Sequence, residues 1–253
     1  MSERKPEKKL RLIYVVLAQV VLLAAWQVLA HSGAAGLTVP TPASVIRVYL
    51  QPRFAALLYR SALATVSSAA AGFVAGALLG TVTAMVAYVL PPLRPGLDRL
   101  AVTVNAIPAI VLGPIFILLA SRELTPALLA AISVFFLIYV AVASGLRTAS
   151  AGLSAMMTTF GAARWQLLRY LDLPSAVPSL LSGVKVSVTA AMIGAVVGEW
   201  FGAPTGLGIV ILNTMQNFEI PLMWAAVLLV ALISLLGYGA AHAAERWVAR
   251  RFL

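Results

Sequence analysis

Long apolar runs, broken by short basic or proline-bearing segments, dominate the chain. A helix needs about 20 largely apolar residues to cross ~30 Å of hydrocarbon. Six stretches meet that length, roughly Leu12–Ala30, Arg60–Val89, Leu100–Ala120, Thr125–Leu146, Ala176–Glu199 and Leu222–His242. The pattern predicts an all-α integral membrane protein of about six transmembrane helices, in one domain over residues 1–253. The second stretch is longer than a bilayer requires, so it is expected to tilt or to run on past the membrane. The first ends in Val28-Leu29-Ala30, which has the small-x-small look of a cleavage site. Its apolar region exceeds the roughly 7–15 residues of a cleavable signal, so an uncleaved anchor is expected.

Composition supports lipid as the solvent. Hydrophobic residues make up 62% of the 253 and charged residues only 10%, with a mean hydropathy of +0.99. A soluble domain carries roughly 25% charged residues, and this chain could not cover a water-facing surface. Lys and Arg number 18 against 8 Asp and Glu. These basic residues sit between the apolar runs, which points to an anionic membrane surface and not to nucleic acid. The absence of cysteine excludes disulfides and Cys-based metal or redox chemistry.

Charge also orients the chain, because cytoplasmic flanks collect Lys and Arg. With the N-terminus inside, the cytoplasmic segments hold Arg4, Lys5, Lys8, Lys9 and Arg11, then Arg94 and Arg99, then Arg147, Arg164 and Arg169, then Arg246, Arg250 and Arg251. The outer segments hold only Arg47, Arg53, Arg60 and Arg122. Both termini are expected in the cytoplasm. The outer segment from His31 to Tyr59 contains Pro40, Pro42 and Pro52 and is expected to carry a short interfacial helix. The longest cytoplasmic connection runs from Arg147 to Ser175, and an outer loop follows the fifth span from Phe201 to Pro221.

The cytoplasmic connection carries the most specific motif. It reads Ala155-Met156-Met157-Thr158-Thr159-Phe160-Gly161, then nine residues, then Leu171-Asp172-Leu173-Pro174. Met156 and Phe160 are four apart and share a face of a short helix. A knob with flexible Met side chains suits a groove on a partner protein, and Gly161 permits a bend that a Cβ would resist. Beyond it, Trp165 and Leu168 can lie on the membrane while Arg164 and Arg169 face headgroups. The plainer alternative is an ordinary interfacial loop.

The spacing resembles the EAA loop of ABC importer permeases, which reads EAA, three residues, Gly, nine residues, then I-x-L-P. Ala155-Met156-Met157 stands where that family has Glu-Ala-Ala. Further along, Ile107-Pro108-Ala109 with Gly113-Pro114, Phe135-Phe136 before Gly145-Leu146-Arg147, and Gly198-Glu199 with Thr205-Gly206-Leu207-Gly208 resemble the nitrate, sulfonate and taurine importer permeases. That branch also includes permeases for pyrimidine-type heterocycles. The resemblance covers about residues 60–247, with 147–175 as the coupling loop. It implies a type I permease fold working as a homodimer, with ATP and Mg bound by partner ATP-binding subunits and no cofactor in this chain. It also implies a periplasmic or lipid-anchored substrate-binding protein. Met156, Met157, Phe160, Gly161, Ala162 and Trp165 are then the expected contacts to the ATPase.

Other polar positions are candidates for a translocation path: Lys185, Glu199 and Asn105. Lys185 is the one charge placed well inside a span, where a pathway role is the default reading. The alternative is snorkelling, because it lies only eleven residues past Pro174. Glu199 and Glu219 flank the outer loop, either at an entrance beneath a binding protein or as solvated loop residues. Ala64, Ser68, Gly72, Gly76, Gly80 and Ala84 place a small residue at every fourth position of span two, a surface for close helix approach, most simply within the subunit.

His31 and His242 lack a metal-ligand spacing such as HExxH, and no P-loop GxxxxGK[ST] is present, so catalysis in this chain is not expected. The rival function is a secondary active transporter, which would use inverted repeats and midplane ion sites. No repeat of fixed period is seen, and Lys185 is the one ionisable candidate for such a site.

Overall fold

The computed structural model describes residues 4–33 and 36–252, so the first three residues of the expected cytoplasmic N-terminus lie outside the described residues. Every regular element among the described residues is helical. The peripheral α1 (Arg4–His31) leads into the expected interfacial helix α2 (Pro42–Leu50). Thr41 caps α2 by accepting from the Ser44 amide at 3.3 Å, and Pro42 occupies the first turn, where no N–H is needed. The Tyr49 hydroxyl donates to Ala225 O at 2.6 Å, and burial pushes its phenol up from the ordinary value.

Among the described residues, four helices are long and apolar enough to cross a membrane: α3 (Pro52–Val89), α6 (Thr125–Gly145), the continuous Arg164–Glu199 and α11 (Ile220–Phe252). The 38 residues of α3 reach about 57 Å at 1.5 Å per residue, in keeping with the overlong second stretch. The first expected span falls in α1, whose apolar part with described side chains is Val16–His31.

The third expected span, Leu100–Ala120, is not one helix. It divides into α4 (Arg94–Ala106) and α5 (Ala109–Leu119), which meet at 96°. Pro108 lacks an amide to continue the ladder and disfavours helical geometry in the residue before it. Ile107 accordingly sits at φ −78°, ψ 119°.

The bundle is organised around α6, where Leu129, Ala130, Val134 and Ile138 are fully buried. A Cβ on Gly72, Gly76 or Gly80 would strike the backbone of Ala127, Ala131 or Phe135, so the small-residue row of α3 lies directly on α6. From the other side, Gly194 and Gly198 bring the fifth span against Ala130 and Pro126 of α6. The expected packing within the subunit therefore accounts for the glycines of that row.

Candidate functional site

The cytoplasmic connection folds into α7 (Ala151–Thr159), a tight turn, and α8 (Arg164–Leu167). Ser150 accepts from the Leu153 amide to start α7. At its end Gly161 lies at φ +82°, its amide donates to Thr158 O at 2.9 Å, and the Ala162 amide donates to Met157 O at 2.9 Å. These two bonds with a left-handed glycine make a Schellman stop. Nothing lies within 4 Å of where a Gly161 Cβ would be, so the backbone angle and not crowding calls for glycine.

The stop leaves an apolar tip in the open. Phe160 is 83% exposed, Trp165 62% and Met156 52%, while Met157 and Ala162 are half-buried. Burying a side chain such as Phe160 on a partner is worth about 1.5–3 kcal/mol. Trp165 sits on α8, which joins the fifth span through a π-helical turn at Leu168–Asp172. There the Leu173 amide reaches back to Leu168 O, and Pro174 has no amide to offer Tyr170. The span expected at Ala176–Glu199 thus already begins at Arg164, with α9 (Leu173–Glu199) as its α-helical part.

The base of the connection is braced. Thr148 Oγ1 donates to Ser175 O at 3.0 Å, joining its two ends. Arg164 Nη2 donates to Tyr88 O at 3.2 Å, and the Tyr88 hydroxyl donates to Asp172. Close by, the Tyr139 hydroxyl donates to Asp98 Oδ1 at 2.5 Å, and Arg94 lies 3.6 Å from the same carboxylate. Neither Tyr–Asp pair was expected from sequence; the one available signal is an isolated acid in each of two strongly basic segments.

The path candidates are not brought together. Lys185 donates to Glu245 Oε2 of α11 at 2.7 Å, and Ser182 and His242 lie on the same carboxylate at 2.9 and 3.1 Å. Asn105 is exposed, two residues before the α4–α5 break. Glu199 corrects the sequence reading: it is no solvated loop residue but 1% exposed. Its Oε2 accepts from the Gly208 amide at 2.6 Å, while Thr65 Oγ1 of α3 accepts from the Leu207 amide at 2.8 Å. The two side chains satisfy the first free amides of α10 (Leu207–Gln216). Gly206, at φ +142°, leaves the space that the Glu199 carboxyl fills.

Residues 72–252 match the family described as "binding-protein-dependent transport system inner membrane component". The chain belongs to that family. It is 33% identical over 231 residues to the riboflavin transport system permease protein RibX of Chloroflexus aurantiacus, covering 90% of this chain and 86% of that one. It is 30% identical over 251 residues to a probable ABC transporter permease protein of Haemophilus influenzae, covering 97% and 98%. A crystal structure of the MetNI methionine ABC transporter in an inward-facing conformation superposes with a TM-score of 0.68 at 19% identity, over 78% of this chain and 99% of that one. The fold is thus that of a type I importer permease, and the chain is an ABC importer permease subunit, not an enzyme. Membership sets aside the secondary-transporter reading.

Proposed function

We propose that two copies of this permease form a gated path for a small polar solute, driven by ATP-binding subunits that grip the connection between Arg147 and Ser175. The carrying observation is the Schellman-stopped tip, with Phe160 and Met156 exposed above a base tied through Arg164, Tyr88 and Asp172. The ATPase groove covers this tip, and Met157, Gly161, Ala162 and Trp165 set its angle. ATP and Mg are held by those partners. A periplasmic or lipid-anchored binding protein delivers the solute from the other side. The solute is a nitrate-, sulfonate- or taurine-like anion or a pyrimidine-type heterocycle; the likeness to a riboflavin permease favours the heterocycle.

Asn105 is the polar candidate retained for the path, because it is exposed beside a break in a helix pair and broken helices line paths in membranes. Lys185 pairs with the Glu245 carboxylate and Glu199 Oε2 caps α10 at the Gly208 amide, contacts that support a structural role for each. Three cysteines test the arrangement. Phe160→Cys should form a bifunctional cross-link with the ATPase in the assembled complex. Thr205→Cys should be modified by an impermeant maleimide on intact cells, and Ala155→Cys only after permeabilisation. Labelling of Ala155→Cys from outside would overturn the orientation.

A further inference from the structure

The outer end of the bundle holds a cleft, lined by two arginines and two asparagines, that the coupling mechanism does not use. It lies between the start of α3, the end of α10 and the turn into α11, and encloses about 570 Å³. Arg53 and Arg60 line it from α3, seven residues apart and so on one face. Asn213 on α10 and Asn217 just past its end face them, with Glu219 at the rim. No ion pair or hydrogen bond engages either arginine among the described residues. Arg53 stands in the first turn of α3, the positive end of the helix dipole, where a cation is disfavoured. Both guanidinium groups are exposed and open to a partner, and only the placement of Arg53 at the start of its own helix is unfavourable.

A second irregularity adjoins the cleft. Helix α10 ends in a Schellman stop, with the Glu219 amide on Thr214 O at 2.9 Å and the Phe218 amide on Met215 O at 3.4 Å. The left-handed position that glycine normally fills is occupied by Phe218 at φ +57°, the one non-glycine residue with positive φ among the described residues. Its ring is 84% exposed. A bulky residue in that conformation is strained, and nothing among the described residues covers the exposed ring. Arginine and aromatic side chains clustered at one edge are the composition of an interface centre. The cleft is open, which suits a protein side chain better than an enclosed solute.

We propose that this cleft is the docking point for an acidic face of the substrate-binding protein: a carboxylate enters between Arg53 and Arg60, and Phe218 packs on the partner beside it. The proposal rests on the outward orientation given above and adds the surface and the charge of the partner. Each guanidinium supplies paired N–H donors for a carboxylate, and the Asn213 and Asn217 amides supply further donors at the floor.

The test uses the full chain with its ATPase subunits in nanodiscs and the purified binding protein of the same transport system, with Kd read by biolayer interferometry. Arg53→Glu with Arg60→Glu should raise Kd about 30-fold or more, and the wild-type Kd should rise with salt. Arg122→Glu reverses one charge on the outer side away from the cleft, half the change of the double variant, and should leave Kd within about threefold. Phe218→Gly relieves the backbone strain while removing the ring; it should hold or raise the thermal midpoint and still weaken binding about tenfold. Unchanged Kd in the double arginine variant, or an equal loss in Arg122→Glu, would overturn the docking surface. Modification of Phe218→Cys by impermeant maleimide on intact cells reads the orientation separately. Labelling together with unchanged Kd sinks the docking proposal alone, whereas failure to label sinks the orientation beneath it.

Discussion

The Lys185 ammonium on α9 and the Glu245 carboxylate on α11 meet at 2.7 Å, sixty residues apart in sequence. The pair joins two spans in the half of the bundle nearest their basic flanks, and the Tyr238 ring lies 5.9 Å from the ammonium. A lone lysine in an apolar run reads as a pathway residue. With Glu245, Ser182 and His242 around it, it reads as a fastening between helices.

Removing one partner of this pair should therefore do more harm than removing both. Lys185→Met leaves Glu245 partly buried without its cation, whereas Lys185→Met with Glu245→Leu leaves an apolar contact. The thermal midpoint of the purified complex should drop in the single variant and recover in the double, the signature of a direct coupling. Uptake at equal membrane abundance should follow the same order. Uptake lost in both variants while the midpoint holds would restore the pathway role.

Gly161→Val should separate ATP hydrolysis from transport. Its φ of +82° is a conformation that a β-branched residue resists by roughly 1–2 kcal/mol or more. The open space around it means that only the Schellman stop is disturbed. The Phe160 tip should be misaimed, and uptake in vesicles should fall further than ATPase activity. Gly161→Asn, which tolerates the left-handed region, should retain most of the coupling.

Bulk in the α3 glycine row should be damaging in proportion to the closeness of α6. A Cβ on Gly76 would meet Ala131 O and Val134 Cβ, while one on Gly96 meets nothing within 4 Å. Gly76→Val is expected to cost about 1–3 kcal/mol through overpacking, and more if the helices separate. Gly96→Ala should be neutral. Melting curves of detergent-purified protein distinguish the two.

Glu199→Ala should loosen α10 without touching the Phe160 tip. The substitution leaves the Gly208 amide buried with no acceptor, at about 1–3 kcal/mol, and opens a void beside Gly206. Faster maleimide labelling of Thr205→Cys in this background would report the loosening. Glu199→Gln keeps an acceptor oxygen and should be milder. Equal labelling rates in all three backgrounds would mean that α10 is held by other contacts.

Much of this architecture is a property of short windows of sequence. The apolar lengths, the glycine row of α3, the interfacial helix after Thr41 and the left-handed turn at Gly161 depend on neighbours within a few positions, and each was readable there. So was the exposed Met156–Phe160 tip, since the spacing that shares a helix face also leaves it apolar. The third span reads as one apolar stretch because Pro108 allows either a kink or a full break, and the 96° turn depends on what α4 and α5 pack against. Pairings across the bundle were not readable at all. Tyr88 meets Asp172 across 84 positions, and Thr65 meets Leu207 across 142. Which side chains face one another depends on the rotation and depth of each helix, and those follow from the glycine contacts of α3 and α9 with α6. That packing moved Glu199 from an assumed wet loop into a buried cap and gave Lys185 its carboxylate. Hydropathy and charge act along the chain, while an ion pair or a buried cap exists only once two helices have settled into register.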